Sequence, residues 1–182
     1  MKLGSWSGMK KYLERDMLAE SLKGRVKYYC SSYRGMDDLK IFEVFIDKKL
    51  VKRFSLWTVQ TYFHREGLIG NPKDKYDSNH EYWFSFLKTL DEIPMDRRTE
   101  YIDVEFEDAL ESYLNSDIAS SLSSADPILK MFALFDRRTS KKKVADFIKA
   151  PGGSPAWLVN VAGLRSAAEM IVGGQSEQFT PV

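Results

Sequence analysis

The chain of 182 residues contains a single cysteine and two histidines, and these scarcities narrow the chemistry open to it. A lone Cys30 closes no intramolecular disulfide, which points to a reducing cytoplasm. His64, His80 and Cys30 lie far apart without a paired spacing, so no metal site is expected. His80-Glu81 also lacks the second histidine, four residues beyond the first, that a zincin helix needs. No apolar run approaches the roughly 20 residues that span a bilayer. No apolar leader follows Met1-Lys2, so the expectation is a soluble protein with no membrane partner. Absent too are the Gly-x-x-x-x-Gly-Lys-Ser/Thr loop, the Gly-x-Gly-x-x-Gly turn and the Gly-x-Ser-x-Gly elbow. Nucleotide-dependent catalysis and serine hydrolysis lose their usual signatures, and no cofactor is expected.

A further absence is local. From Thr99 to Leu129 there is no Lys or Arg, only Glu100, Asp103, Glu105, Glu107, Asp108, Glu111, Asp117 and Asp126. From Lys130 to Lys149 the sign reverses, with Lys130, Arg137, Arg138, Lys141, Lys142, Lys143 and Lys149 against Asp136 and Asp146. The formal charge of +1 hides this segregation. The plain expectation is that the two segments pair with one another or face water.

What is present suffices for a core, since 43% of residues are hydrophobic and 13% aromatic. The reading is an α+β domain over 1–150, followed by a linker, an amphipathic helix and a polar tail over 151–182. The organising stretch is 40–56, two β-rich runs around Asp47-Lys48-Lys49, which is how a hairpin is written. Lys52 and Arg53 mark its second strand as the more exposed. Val26, Tyr28 and Cys30 alternate with polar neighbours, adding a strand and placing Cys30 toward the core as an inert thiol. The sheet is then a three-stranded antiparallel meander over 25–33, 40–46 and 50–56, entered through a loop at Tyr33-Arg34-Gly35 and Asp37-Asp38.

Helices surround it. Trp6, Met9, Leu13 and Met17 make one stripe over 6–22, stopping before Gly24. Residues 57–66 suit both strand and helix, and Ser55 as a cap favours helix. After a loop at 67–74, Ser78 and Glu81 form a capping box for a helix whose Trp83, Phe86, Leu87 and Leu90 share a face until Pro94. Residues 101–104 are either a short edge strand or the entry to a helix carrying Phe106, Ala109, Leu110, Tyr113 and Leu114. Asp126-Pro127 starts a helix that is apolar on most sides and therefore central. It ends at Asp136-Arg137-Arg138, and Thr139 or Ser140 caps the next. Beyond the Pro151-Gly152-Gly153-Ser154-Pro155 linker, Trp157, Val161, Leu164, Ala168 and Ile171 form a last stripe. That helix either docks on the body or is held ready for a partner.

Ser21-Leu22-Lys23-Gly24-Arg25-Val26 leading to Tyr33-Arg34, the Ile46-Asp47-Lys48-Lys49 hairpin, and Asp126-Pro127-Ile128 with Asp136-Arg137-Arg138 and its following lysines resemble a family of small bacterial proteins of unknown function. The resemblance covers about residues 5–148, with the segment after Pro151 as an addition. It implies a bacterial, cytoplasmic, single-domain protein and lends no catalytic residues.

Two groups of residues are candidates for function. Arg137, Arg138, Lys141, Lys142 and Lys143 stand at a helix junction, where cations and free backbone N–H groups together suit phosphates or other anions, nucleic acid included. Trp157, Val161, Leu164 and Ile171 are the candidate protein-binding or self-associating stripe. Asp103 and Glu105 would share a face if that stretch were extended, as the paired carboxylates of a metal-dependent nuclease or other hydrolase do, but Glu107 stands where a lysine is wanted. The leading expectation is a non-catalytic, protein-binding or regulatory protein, immunity-like in kind. Nucleic-acid binding through 137–143 is the alternative, and metal-dependent hydrolysis the second.

Overall fold

The computed structural model describes residues 5–32, 39–71, 75 and 77–176, the side chains of 171–176 excepted. The Tyr33–Asp38 loop, part of the 67–74 loop, the Ile171 side chain and the tail beyond 176 lie outside the described residues. Strands β1 (Val26–Ser32), β2 (Lys40–Ile46) and β3 (Lys49–Phe54) form an antiparallel sheet in the order β1-β2-β3. The fold is α+β, with a C-terminal half that is almost wholly helical.

The hairpin is tighter than its Asp-Lys-Lys connection implies. Ile46 pairs directly with Lys49, so only Asp47 and Lys48 turn the chain, at φ 50° and 65°. Both are left-handed, as a two-residue turn matched to strand twist requires. Arg25 holds Asp47 there through a bidentate pair of 2.8 and 2.6 Å. Opposite the Val44–Phe45 step of β2, β3 carries one extra residue, Val51, a bulge that leaves Lys52 opposite Val44 on the covered side of the sheet. Lys52 is therefore buried, contrary to its reading as an exposed strand residue. Its ammonium donates to the Thr99 carbonyl and to Glu100 at 2.7 Å, over the rings of Tyr101 and Trp157. Burial pushes its pKa below the ordinary lysine value, and the Glu100 hydrogen bond offsets part of that.

Helix α1 (Trp6–Lys11) continues as a π-helical turn, Tyr12–Met17, and then stops. It ends short of the 6–22 span because tertiary pairing takes the backbone. Leu18 bridges Asp136, Ala19 N–H donates to the Phe135 carbonyl, and Arg137 N–H donates to that of Met17. A 3-10 turn, Glu20–Leu22, leads to β1.

The region of 57–66 is helical, α2 (Leu56–Arg65), with the Ser55 hydroxyl accepting from Thr58 N–H. Helix α3 (Asn79–Glu92) packs with it in a small second core of Val59, Phe63, Ile69, Tyr82, Phe86 and Leu90. Leu87 is not on that face. It is 53% exposed, because the buried stripe runs through Tyr82, Phe86 and Leu90 and turns Leu87 outward.

Helix α4 (Asp103–Leu114) begins directly after Tyr101, which makes one parallel bridge with Phe54. A short helix α5 (Ile118–Ser123), capped by Asp117, was not legible in the apolar pattern. Helix α6 (Pro127–Phe135) is central as its composition demands, with all but Lys130 buried. Its Phe132 meets Phe106 at 5.4 Å between ring centroids, and Phe106 stacks on Phe42 at 4.5 Å. Each such pair contributes about 0.5–1.5 kcal/mol beyond its buried area. Helices α7 (Lys141–Lys149) and α8 (Ala156–Ser176) complete the half. Helix α8 docks on the body, packing on α7, α6 and the Glu20–Leu22 turn, so of the two roles left open for it the docked one holds.

Candidate functional site

Three features compete as a site, beginning with the outer face of the sheet. Alternation sends Val26, Tyr28, Phe42, Val44 and Ile46 under the helices. The opposite face keeps Lys27, Tyr29, Ser31, Ile41, Glu43, Phe45 and Arg53, all exposed or half-buried. Tyr29 and Phe45 meet edge to face at 5.3 Å between centroids, with the Lys10 ammonium 4.6 Å from the Tyr29 ring centre. Together with Gly24, Arg25, Asp47 and Lys48 they border a depression of about 840 Å³. Past β3 the surface runs on to Trp57, Tyr62 and Arg65 of α2.

The charges of this face are largely self-neutralised. Arg25 is paired with Asp47, Lys27 with Glu14 at 3.2 Å, and Arg53 with Glu43 at 2.6 Å. Cys30 is half-buried at the strand's far end, and burial pushes its thiol above the usual range. It is not the deprotonated form that reacts.

The second feature is the junction between α6 and α7. Asp136, buried, accepts from Arg138 through its backbone N–H at 2.6 Å and its guanidinium at 2.7 Å, and from the Tyr113 hydroxyl. Burial alone would raise the Asp136 carboxyl, yet these hydrogen bonds outweigh it and hold the group below the ordinary aspartate value. Arg165 of α8 closes the knot, only 1% exposed. It donates to the carbonyls of Leu134, Asp136 and Thr139 and, at 3.0 Å, to Glu169. The carbonyl ends of α6 thus find donors on a side chain that no motif in the sequence singled out.

The anion candidates divide here. Arg138 is committed to Asp136, while Arg137, Lys141, Lys142 and Lys143 are exposed. Among the described residues the basic stretch makes no ion pair with the acidic one. Glu100 pairs with Lys52, Glu105 with Arg98 and Glu107 with Lys40. Of the two outcomes expected, pairing or facing water, the basic segment takes the second, because Lys40 and Lys52 of the sheet and Arg98, just after the 3-10 turn Met95–Arg97, are the cations that meet the acidic residues.

Of the α8 stripe, Val161 is fully buried, Trp157 is half-buried against Tyr101 and Lys52, and Leu164 is 39% exposed. The stripe is divided between core and surface rather than presented whole. The carboxylates raised for hydrolysis are likewise separated. Asp103 accepts from Lys40 N–H at 2.9 Å, whereas Glu105 takes Ile102 N–H and Arg98. On a helix, residues two apart point in different directions. Among the described residues no three His, Cys, Asp or Glu side chains gather as metal ligands, and no helix is long and apolar enough to cross a membrane.

The SF0329 protein family matches residues 5–166. The chain belongs to this family. The match runs past 148, through the turn at 151–155 and into α8 as far as the buried Arg165, so that segment is not wholly an addition. It takes in the sheet, its open face and the α6–α7 junction alike. No curated protein and no solved structure matches the chain.

Proposed function

We propose that the protein is a non-catalytic binding module that engages another protein through the open face of its sheet. The observation that carries this is the pairing of exposed aromatics with charges already neutralised inside the chain. Tyr29 and Phe45 offer apolar area beside the Arg25–Asp47, Lys27–Glu14 and Arg53–Glu43 pairs. Aromatic and arginine side chains are the ones enriched at protein interfaces. A polyanion would instead require uncompensated cations. The depression of about 840 Å³ is concave, and an isologous contact would set two concavities face to face around a void. The occupant is therefore a convex element of a different protein. A regulatory, immunity-like role in a bacterial cytoplasm accords with this mode of action and with the lone Cys30.

The test compares wild type with the Tyr29→Ala/Phe45→Ser double variant in affinity capture with and without nuclease, followed by titration with the purified captured partner. A partner bound directly and weakened at least about tenfold by the variant, as truncating aromatic anchors does, is the expected result. Capture that vanishes with nuclease, concentration-dependent dimers of the protein alone, or binding indifferent to the variant would overturn the reading.

A further inference from the structure

We infer that the mouth of α7 is a binding site for a single phosphate group, separate from the sheet face. A cavity of about 330 Å³ lies there, bordered by Ser21, Arg137, Ser140, Lys141, Arg165 and the carboxylates Glu20 and Glu169. Helix α7 opens with Ser140, whose hydroxyl accepts from Lys143 N–H and whose carbonyl accepts from Val144 N–H. The N–H groups of Lys141 and Lys142 are left as the free donors of the first turn. Lysines at this end are set against the helix dipole, an arrangement that an anion between them would reverse.

Two buried donors point the same way. Ser21 is 8% exposed, and among the described residues its hydroxyl has no hydrogen-bond partner. The Arg165 guanidinium uses four of its five N–H donors on Leu134, Asp136, Thr139 and Glu169, leaving one on Nη2. The carboxylates at the cavity are already compensated, Glu169 by Arg165 at 3.0 Å and Glu20 by Lys23 at 2.7 Å. Among the described residues Arg137 and Lys141 have no carboxylate partner. The same two carboxylates set the size of the ligand. A single tetrahedral oxyanion would meet Arg137 and Lys141 at the cavity's border, whereas a continuous nucleic-acid backbone would have to run past Glu20 or Glu169. The ligand is inorganic phosphate or the phosphoryl group of a phosphomonoester.

The experiment titrates the full chain with inorganic phosphate, with phosphoserine and with a short single-stranded oligonucleotide at constant ionic strength, by calorimetry and amide spectra. Saturable binding of phosphate or phosphoserine is expected, with shifts centred on 139–142, weakened about tenfold by Lys141→Gln and by Ser21→Ala as for loss of a charge-assisted hydrogen bond. Lys149→Gln, at the other end of α7, should leave it unchanged. Ser21→Ala should not lower the melting temperature of the free protein, because the hydroxyl it removes has no partner; a hydroxyl with only a structural role would show the opposite pattern. Absence of saturable binding, binding equally indifferent to both variants (an adventitious ion only), or oligonucleotide binding that phosphate does not displace would overturn the proposal.

Discussion

Two buried polar residues show how much one side chain carries in this protein. Tyr28 is wholly buried against Phe132, its hydroxyl lacks a hydrogen-bond partner among the described residues, and burial pushes its phenol well above the usual value. A buried hydroxyl without a partner costs about 1–3 kcal/mol, so Tyr28→Phe should raise the melting temperature by roughly 2–4 °C for each kcal/mol recovered. A lower melting temperature would show that the hydroxyl is satisfied. Asp136 is the opposite case. Because its carboxyl is held below the ordinary value, the stability it lends is complete above about pH 4, where unfolded aspartate titrates, and is lost as pH falls through its folded value. Asp136→Asn should cost about 3 kcal/mol at neutral pH, in line with loss of charge-assisted bonds to Arg138 and Tyr113. It should also flatten the acid limb of a melting-temperature profile, and an unchanged limb would assign acid unfolding to other carboxylates.

At the scale of elements, α8 decides whether the chain ends in a tether or in a piece of the core. The Pro151–Pro155 segment reads as a hinge, but the Ser154 N–H donates to the Pro151 carbonyl and Lys130 reaches the Ser154 hydroxyl. The helix beyond it fully buries Leu158, Val161 and Ala168. Leu158 and Val161 alone are worth about 1.5–3 kcal/mol each, and losing Arg165 leaves the carbonyls of Leu134, Asp136 and Thr139 without that donor. Set against a total stability of about 5–15 kcal/mol, truncation after Ala150 should lower the melting temperature by at least about 10 °C or abolish cooperative unfolding. A truncated chain that melts with the full one would return α8 to the role of a detachable arm. The early end of α1 teaches the same lesson. Its expected span runs on to residue 22, but pairing of 17–19 with 135–137 draws the backbone out of the helix after Met17.

For the whole molecule, the separation of charge along the chain does not become two facing surfaces. Glu100, Glu105 and Glu107 of the acidic stretch are taken up by Lys52, Arg98 and Lys40, Asp108, Glu111 and Asp117 stay exposed, and the basic stretch is left at the surface around the mouth of α7. The sheet face is balanced instead by pairs along and across its strands. One small protein thereby presents two surfaces of different chemistry, an apolar one with neutralised charges and a cationic pocket. The variants that probe them share no residue, so the two proposals stand or fall separately.

The sequence by itself determined the three-stranded meander, the central α6 and most helix starts, because periodicity and caps act within a few residues. Asp126 followed by Pro127 and the Ser78–Glu81 pair could be read without any partner in space. It also placed Arg137 and Lys141 at a helix junction. Only the tertiary structure decided that Lys52 is buried, since a β-bulge sets the face of a strand residue and bulges leave no mark in alternation. Only it joined Ser21 and Arg165 to that junction, across 116 and 28 residues from Arg137. Only it showed that α8 is docked, because an amphipathic stripe specifies an apolar face without specifying what covers it.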